Sequence, residues 1–331
     1  MIRVDLTRGI ASTIGSTPLV ELKQLFAGYS FTVYGKLEWM NPAGSAKDRP
    51  AKYMLQEAIR RGEITQNTVV IESSSGNLGI SLAQLCCYLE LRFICVIDPR
   101  TTKQHRRIIE SFGGELELVQ LPDRDTGEYL PARIQRVQEL LRRFPDSYWT
   151  NQYENPDNYK AHKETMMPEI AHQLGQPDYM ICGVSSCGTI RGIREYIEEQ
   201  RWDTQLLAVD AVGSVIFGGP KGSRKLPGLG AGIVPRQYKP DIADQVVYVT
   251  DMDCVKGCRD LMRHEAILAG ASSGGVISAV QKLAHRIPSG AKCVVLLPDR
   301  GERYLNTIYD DQWVQQELGF DRPFYQVGGT L

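Results

Sequence analysis

No stretch of this chain approaches the ~20 consecutive apolar residues that span a bilayer. Met1-Ile2-Arg3-Val4-Asp5 also lacks the apolar core of an export signal, so a cytoplasmic protein is expected. Like charge is not gathered into blocks: 38 Lys and Arg face 39 Asp and Glu, which gives no electrostatic footprint for a nucleic-acid or membrane partner. Cys254 and Cys258 stand four apart in a helical pattern, but no second Cys or His pair follows at zinc spacing, so no metal is expected. The eight cysteines are scattered along a long chain and read as free thiols rather than a disulfide framework. There is no internal repeat, no low-complexity tract, and neither a G-x-G-x-x-G fingerprint nor a Walker loop for a nucleotide.

What the chain has is length and alternation. Its 331 residues, 42% hydrophobic and 23% charged, suit two globular domains of ordinary size. Short β-branched runs alternate with amphipathic stretches, the pattern of an α/β protein whose parallel sheet is covered by helices on both faces. Strands are predicted at 69–71, 93–97, 116–119, 179–182, 206–209, 246–249 and 293–297. After Pro50, residues Ala51, Met54, Leu55, Ala58 and Ile59 share one helical face, and Arg60-Arg61 followed by Gly62 suits the C-terminus of that helix. The turn-like Glu154-Asn155-Pro156-Asp157 places a boundary near residue 150, giving domains 1–150 and 151–331. The glycine-rich stretch 213–232 is the longest candidate for irregular structure, and loops of that length tend to be functional.

Three segments share a plan of apolar strand, small polar loop and helix. In open α/β sheets ligands bind at the carboxyl ends of strands, so these loops are where a site should form. Glu72-Ser73-Ser74-Ser75-Gly76-Asn77-Leu78-Gly79 leads into a helix over 80–89; its hydroxyls and amides suit a carboxylate, and suit a plain N-cap equally. Gly183-Val184-Ser185-Ser186-Cys187-Gly188-Thr189 leads into a helix beginning near Ile190. Its small residues let backbone amides approach a phosphate, with a simple helix cap as the alternative. Gly270-Ala271-Ser272-Ser273-Gly274-Gly275 precedes a helix over 276–283 and is weak in isolation.

Lys47 organises the others. It stands in Asn41-Pro42-Ala43-Gly44-Ser45-Ala46-Lys47-Asp48-Arg49-Pro50, at the N-terminus of the helix described above. The positive end of the helix dipole disfavours its ammonium form, and burial adds to that effect. A neutral amine is what Schiff-base chemistry needs, although most lysines are solvated surface charges.

Gly15-Ser16-Thr17-Pro18-Leu19-Val20, Lys36-Leu37-Glu38, Asn41-Pro42, Ser45-Ala46-Lys47-Asp48-Arg49 and Ser75-Gly76-Asn77 follow one another along the chain. The loop at 183–189, Gly228-Leu229-Gly230-Ala231-Gly232, Ile267-Leu268-Ala269-Gly270 and Gly301-Glu302-Arg303-Tyr304-Leu305 come after them. This order resembles the fold-type II pyridoxal-phosphate (PLP) enzymes, the family of cysteine synthase and cystathionine β-synthase, over nearly the whole length. The resemblance implies two three-layer α/β/α domains of the tryptophan-synthase-β kind, with residues 13–46 packing on the second domain, and a homodimer. It implies PLP as the cofactor, with Lys47 in covalent linkage and Asn77 on the ring hydroxyl. Ser185, Ser186, Cys187, Gly188 and Thr189 would surround the phosphate, and Ser272 would face the pyridine nitrogen. Ser74, Ser75, Gly76 and Asn77 would hold the substrate carboxylate. A neutral serine at the ring nitrogen does not enforce its protonation, which favours β-elimination over transamination.

Three departures narrow the reading. Leu78 replaces the usual Thr, Ser185 to Thr189 replaces a glycine-rich loop, and Asp299-Arg300 replaces Ser-Ser, so cysteine synthase itself is less expected. Met40-Asn41-Pro42, the run 47–53, Asp98-Pro99, Asn151-Gln152-Tyr153, Asp210-Ala211, the run 213–218 and Leu297-Pro298-Asp299-Arg300-Gly301 instead resemble one branch of the family. That branch joins O-phospho-L-serine to L-glutamate, on the way to 2,3-diaminopropionate for siderophores such as staphyloferrin B, with a separate oxidative enzyme downstream. On this reading Arg224 and Arg300 meet the leaving phosphate, while Ser185, Tyr153 and Arg133 meet glutamate. The alternatives are a synthase with a sulfur nucleophile and a PLP-free scaffold that kept the fold; intact Lys47, Asn77 and Ser272 speak against the scaffold.

Overall fold

The computed structural model describes residues 5–319. In chain order, β1 (Leu19–Glu21), β2 (Thr32–Leu37) and α1 (Asp48–Arg60) lead into β3 (Val69–Ser73), α2 (Asn77–Tyr88), β4 (Phe93–Ile97), α3 (Lys103–Ser111), β5 (Glu115–Leu118), α4 (Tyr129–Arg143) and β6 (Ser147–Trp149). Helices α5 (Pro156–Ala161) and α6 (Met167–Leu174) are joined by a π-helical turn over His162–Met166. Then come β7 (Tyr179–Gly183), α7 (Gly188–Gln200), β8 (Gln205–Ala211), β9 (Gln245–Val249), α8 (Asp251–Glu265), α9 (Ala271–Leu283), β10 (Lys292–Leu297) and α10 (Asp311–Leu318).

The strands form two sheets. The smaller, β5-β4-β3-β6, is parallel throughout, and the larger, β1-β2-β10-β7-β8-β9, is parallel except for β1 on β2. The fold is therefore α/β with mostly parallel sheets, as the alternation implied. β4, Phe-Ile-Cys-Val-Ile, is buried at every position because both of its faces are covered. On one side Ala51, Met54, Leu55 and Ala58 of α1 pack with α2 and Ile109 of α3; on the other stand Val137 and Leu140 of α4. The larger sheet is clad by α8 and α9 on one face and by α6 and α7 on the other.

Three strands escaped the sequence pattern. β1 and β6 are only three residues long, and β2 carries Lys36 among its apolar residues. Helix starts are also corrected: α2 begins at Asn77, α7 at Gly188 and α9 at Ala271, so residues read as loop form the first turns. For α9 the cause is helix packing. A Cβ at Gly257 of α8 would overlap the Gly274 carbonyl oxygen, and one at Gly274 would overlap that of Cys254. These glycines bring two helix backbones into contact instead of loosening a loop. The stretch 213–232 does lack helix and strand. All eight cysteines are free, Cys254 and Cys258 lying buried on α8, and no described helix is long and apolar enough to cross a membrane.

Candidate active site

The carboxyl ends of the two sheets meet. Beyond β10, Asp299 pairs with Ser45 in an isolated bridge, Ala46 N–H donates to Pro298 O at 2.7 Å, and Asn77 Nδ2 at the start of α2 donates to Asp299 Oδ2 at 2.9 Å. Tyr304 Oη donates to the same carboxylate oxygen at 2.7 Å, and Arg303 donates to Asn77 Oδ1 and to Ala43 O. The Asn77 amide is thus held at both ends. Burial raises the pKa of Asp299, whose Oδ1 has no hydrogen-bond partner among the described residues.

Lys47 caps α1, with its own N–H on Ser45 Oγ at 3.2 Å. Its ammonium has no hydrogen bond or ion pair among the described residues. Burial lowers its pKa, with Cys187 and Asp299 opposing that shift. The segment around it rests on a buried ion network. Arg49 grips Glu38 through Nε at 2.7 Å and Nη2 at 2.8 Å, and Glu169 through Nη1 and Nη2, both at 2.7 Å. Lys36 Nζ reaches Glu169 at 2.8 Å and Thr17 O at 2.6 Å. Burial alone would raise the Glu169 carboxyl, but bonds and charge from Arg49 and then Lys36 outweigh it and hold it at about 2. The Thr17, Lys36, Glu38 and Arg49 of the sequence motif are therefore a foundation beneath Lys47.

After β7 the loop offers amides. The N–H groups of Ser185, Ser186 and Cys187 have no partner among the described residues, and Cys187 sits at φ 63°, so the donors are free at the start of α7. That cradle fits a phosphate, and the unpaired, easily neutralised Lys47 amine fits covalent attachment of a carbonyl, so the donor set matches PLP. Thr189 Oγ1 lies 3.2 Å from His162 Nε2. Ser272 is buried in the first turn of α9; a Cβ at Gly228 would stand 4.0 Å from both its Oγ and Tyr304 Oη, so Gly228 lies beside both hydroxyls. Ser75 makes no hydrogen bond among the described residues, whereas Ser74 Oγ already accepts the Gly79 N–H at 3.0 Å as a cap for α2.

The remaining predicted residues stand in separate groups. Ser185 is exposed and donates to Gly230 O at 3.2 Å. Arg224 donates from Nη1 to Leu229 O at 3.2 Å and keeps a buried, unpartnered Nε. Arg133 is buried with its Nε 3.4 Å from Asp98 Oδ2, yet among the described residues Nε and Nη1 make no hydrogen bond. Tyr153 is near it: burial raises the pKa of its hydroxyl, while the charge of Arg133 pulls the other way. Arg300 turns its Nε to Trp39 O at 3.1 Å. Sequence reasoning missed Glu169 and His162, which carry no local motif. It also missed Glu72, whose buried carboxylate accepts from Ser73 N, Thr150 Oγ1 and Gln152 N and ties β3 to the 150–152 segment. Asp299 had been noticed only as a departure.

Site and fold together describe a PLP enzyme, and the comparisons agree. Residues 10–299 match the family described as pyridoxal-phosphate dependent enzyme, and the chain belongs to it. Its fold is similar to an O-acetylserine-dependent cystathionine β-synthase from Helicobacter pylori, with a TM-score of 0.84 and 30% identity over 93% of this chain and 100% of that one. A hydrogen sulfide-producing enzyme from Fusobacterium nucleatum gives 0.84 and 31% over 90% and 99%. O-ureido-L-serine synthase gives 0.85 and 28% over 93% and 96%. The chain is a PLP-dependent enzyme of the β-replacement type.

Proposed function

We propose that this enzyme joins O-phospho-L-serine to L-glutamate, giving N-(2-amino-2-carboxyethyl)-L-glutamate and phosphate. Bound PLP supplies the electron sink that makes an α-proton removable and lets a β-substituent leave. The protein does the rest. Lys47 anchors the cofactor, takes the α-proton at Nζ and later returns it. Asn77, its amide fixed by Asp299 and Arg303, has one Nδ2 hydrogen left for the ring hydroxyl. Ser75 and the Asn77 N–H take the substrate carboxylate, the Gly76 N–H turning to it from Ser74 Oγ, which it meets at 3.4 Å, and Ser272 meets the pyridine nitrogen. Phosphate departs with the C–O bonding electrons, aided by Arg224 or Arg300, and the glutamate nitrogen bonds the β-carbon and loses a proton.

Arg133 carries the choice of acceptor. Among the described residues the buried guanidinium has two nitrogens without a hydrogen bond, Nη1 and an Nε that only faces Asp98 Oδ2 at 3.4 Å, and a buried donor left unsatisfied costs about 1–3 kcal/mol. A carboxylate would satisfy it, and Tyr153 and Ser185 could take the remaining polar groups of an amino acid; sulfide brings no such partner. The product would feed 2,3-diaminopropionate and siderophore synthesis after oxidative cleavage by another enzyme, and the active form would be a homodimer. A sulfur nucleophile is the second reading, favoured by likeness to the cystathionine β-synthase and the sulfide-producing enzyme. Turnover of phosphoserine with glutamate against sulfide or homocysteine decides: faster reaction with either sulfur acceptor overturns the proposal.

A further inference from the structure

The buried pair Arg133 and Asp98 stands at the carboxyl edge of the smaller sheet. Asp98 directly follows β4, beside the 73–77 loop that leaves the neighbouring β3, and Cys95 Sγ of β4 donates to Ser74 O at 3.2 Å. The aspartate is fixed by its own turn. Oδ1 accepts the Arg100 N–H at 2.8 Å, the Asp98 carbonyl oxygen accepts the Thr101 N–H at 3.0 Å and Arg106 Nη2 at 3.1 Å, and Arg106 Nε closes on Thr101 O at 3.0 Å. Oδ2 is left facing Arg133 Nε at 3.4 Å, and the two side chains are only 4% and 8% exposed, so water screens the pair little. Glu72, the other carboxylate whose charge reaches Tyr153 beside Arg133, is instead taken up by the Ser73 and Gln152 N–H groups and by Thr150 Oγ1.

A guanidinium with free N–H groups takes phosphate as readily as carboxylate. On the proposed function that is a hazard, because the donor carries a phosphate into the cleft and releases one there in each turnover. A fixed negative charge beside the guanidinium changes the balance, since its repulsion of an incoming anion grows with the charge of that anion. A phosphate with about two charges is disfavoured about twice as strongly in free energy as a carboxylate at the same place. We propose that Asp98 is a specificity-determining residue: its carboxylate weakens the hold of Arg133 on phosphate more than on carboxylate, and so keeps the acceptor's place open for an amino acid. This rests on reading Arg133 as the partner of the acceptor. Selection here works by repulsion of the wrong ligand rather than by an added attraction to the right one.

The test sets two unreactive anions against glutamate on the holoenzyme, at constant ionic strength. Sulfate stands in for the phosphate dianion without reversing the first half-reaction, and acetate stands in for a carboxylate. Asp98→Asn keeps an oxygen for the Arg100 N–H and removes the charge. It should lower the inhibition constant of acetate about threefold and that of sulfate about tenfold, roughly the square of the first factor, because the Coulomb energy doubles with the charge. Adding Arg133→Met to Asp98→Asn should return both constants to the wild-type values or above. If Asp98→Asn lowers both constants by the same factor, or moves neither, Asp98 does not discriminate, while the acceptor reading stands as long as Arg133→Met alone raises the glutamate KM. If Arg133→Met leaves that KM unchanged, the acceptor reading falls and the role of Asp98 with it. A gain for sulfate that persists after Arg133→Met belongs to another cation and also overturns the assignment. Should Asp98→Asn fail to fold, Asp98→Ser, which keeps a short acceptor in the turn, is measured in its place.

Discussion

Two buried arginines in this protein live in opposite conditions. Arg49 places all three guanidinium nitrogens on carboxylate oxygens, and its network ties β2, α1 and α6 together beneath Lys47. Arg133 is comparably buried but leaves two nitrogens without a hydrogen bond beside a single aspartate. The first arrangement is complete within the protein, so it serves structure. The second lacks acceptors, and on the proposed function glutamate supplies them.

The largest effect is expected at the point that the paired network supports. Lys47→Ala should lower turnover by about a thousandfold or more, since it removes both anchor and base, and should abolish the visible band of lysine-linked PLP while the chain stays folded. Substantial turnover would remove Lys47 from the centre of the site. Next comes the network itself. Arg49→Met strands Glu38 and Glu169 and should cost about 3–5 kcal/mol in urea unfolding. Arg133→Met should cost less, about 1–3 kcal/mol, because it strands only Asp98, whose Oδ1 keeps the Arg100 N–H at 2.8 Å. Equal losses in the two variants would erase the contrast between them.

Acid probes the same network. The Glu169 carboxyl is lowered from 4.5 to about 2, so on acidification the unfolded chain binds its proton first. That contribution is present above about pH 4.5 and disappears as pH falls toward about 2; a urea midpoint flat across this window would show that the pairing does not stabilise the fold. Smaller effects are expected at the mouth. Arg133→Met should raise the glutamate KM about tenfold or more, while stopped-flow rates for phosphate release from phosphoserine stay close to wild type. Ser185→Gly should do the same by about threefold, the value of one neutral hydrogen bond, and an unchanged glutamate KM would take Ser185 out of acceptor binding.

Much of the fold was legible because it is written locally. Seven strands follow from apolar runs, and α1 follows from five residues on one face. β2 was not, because Lys36 breaks its apolar pattern and is tolerated only where Glu169, 133 residues on, receives it. The motif residues Lys36, Glu38 and Arg49 were recognised as a group, but their pairing is a long-range fact. Arg133 could be named as a candidate, whereas its lack of partners depends on what packs around α4. His162 gave no signal, and Glu72 stood in the first loop without a role, since a single polar residue declares its burial only in three dimensions.

The contact between Gly257 and Gly274 reaches further than helix packing. Ser272 lies two residues before Gly274, so the depth at which its hydroxyl stands is fixed by where two bare backbones touch. Among the described residues the Ser272 hydroxyl has no hydrogen-bond partner that could be strengthened or weakened to tune that depth. An added methyl group at Gly257 would act as a wedge, levering the serine away from its place with no residue of the site having been changed.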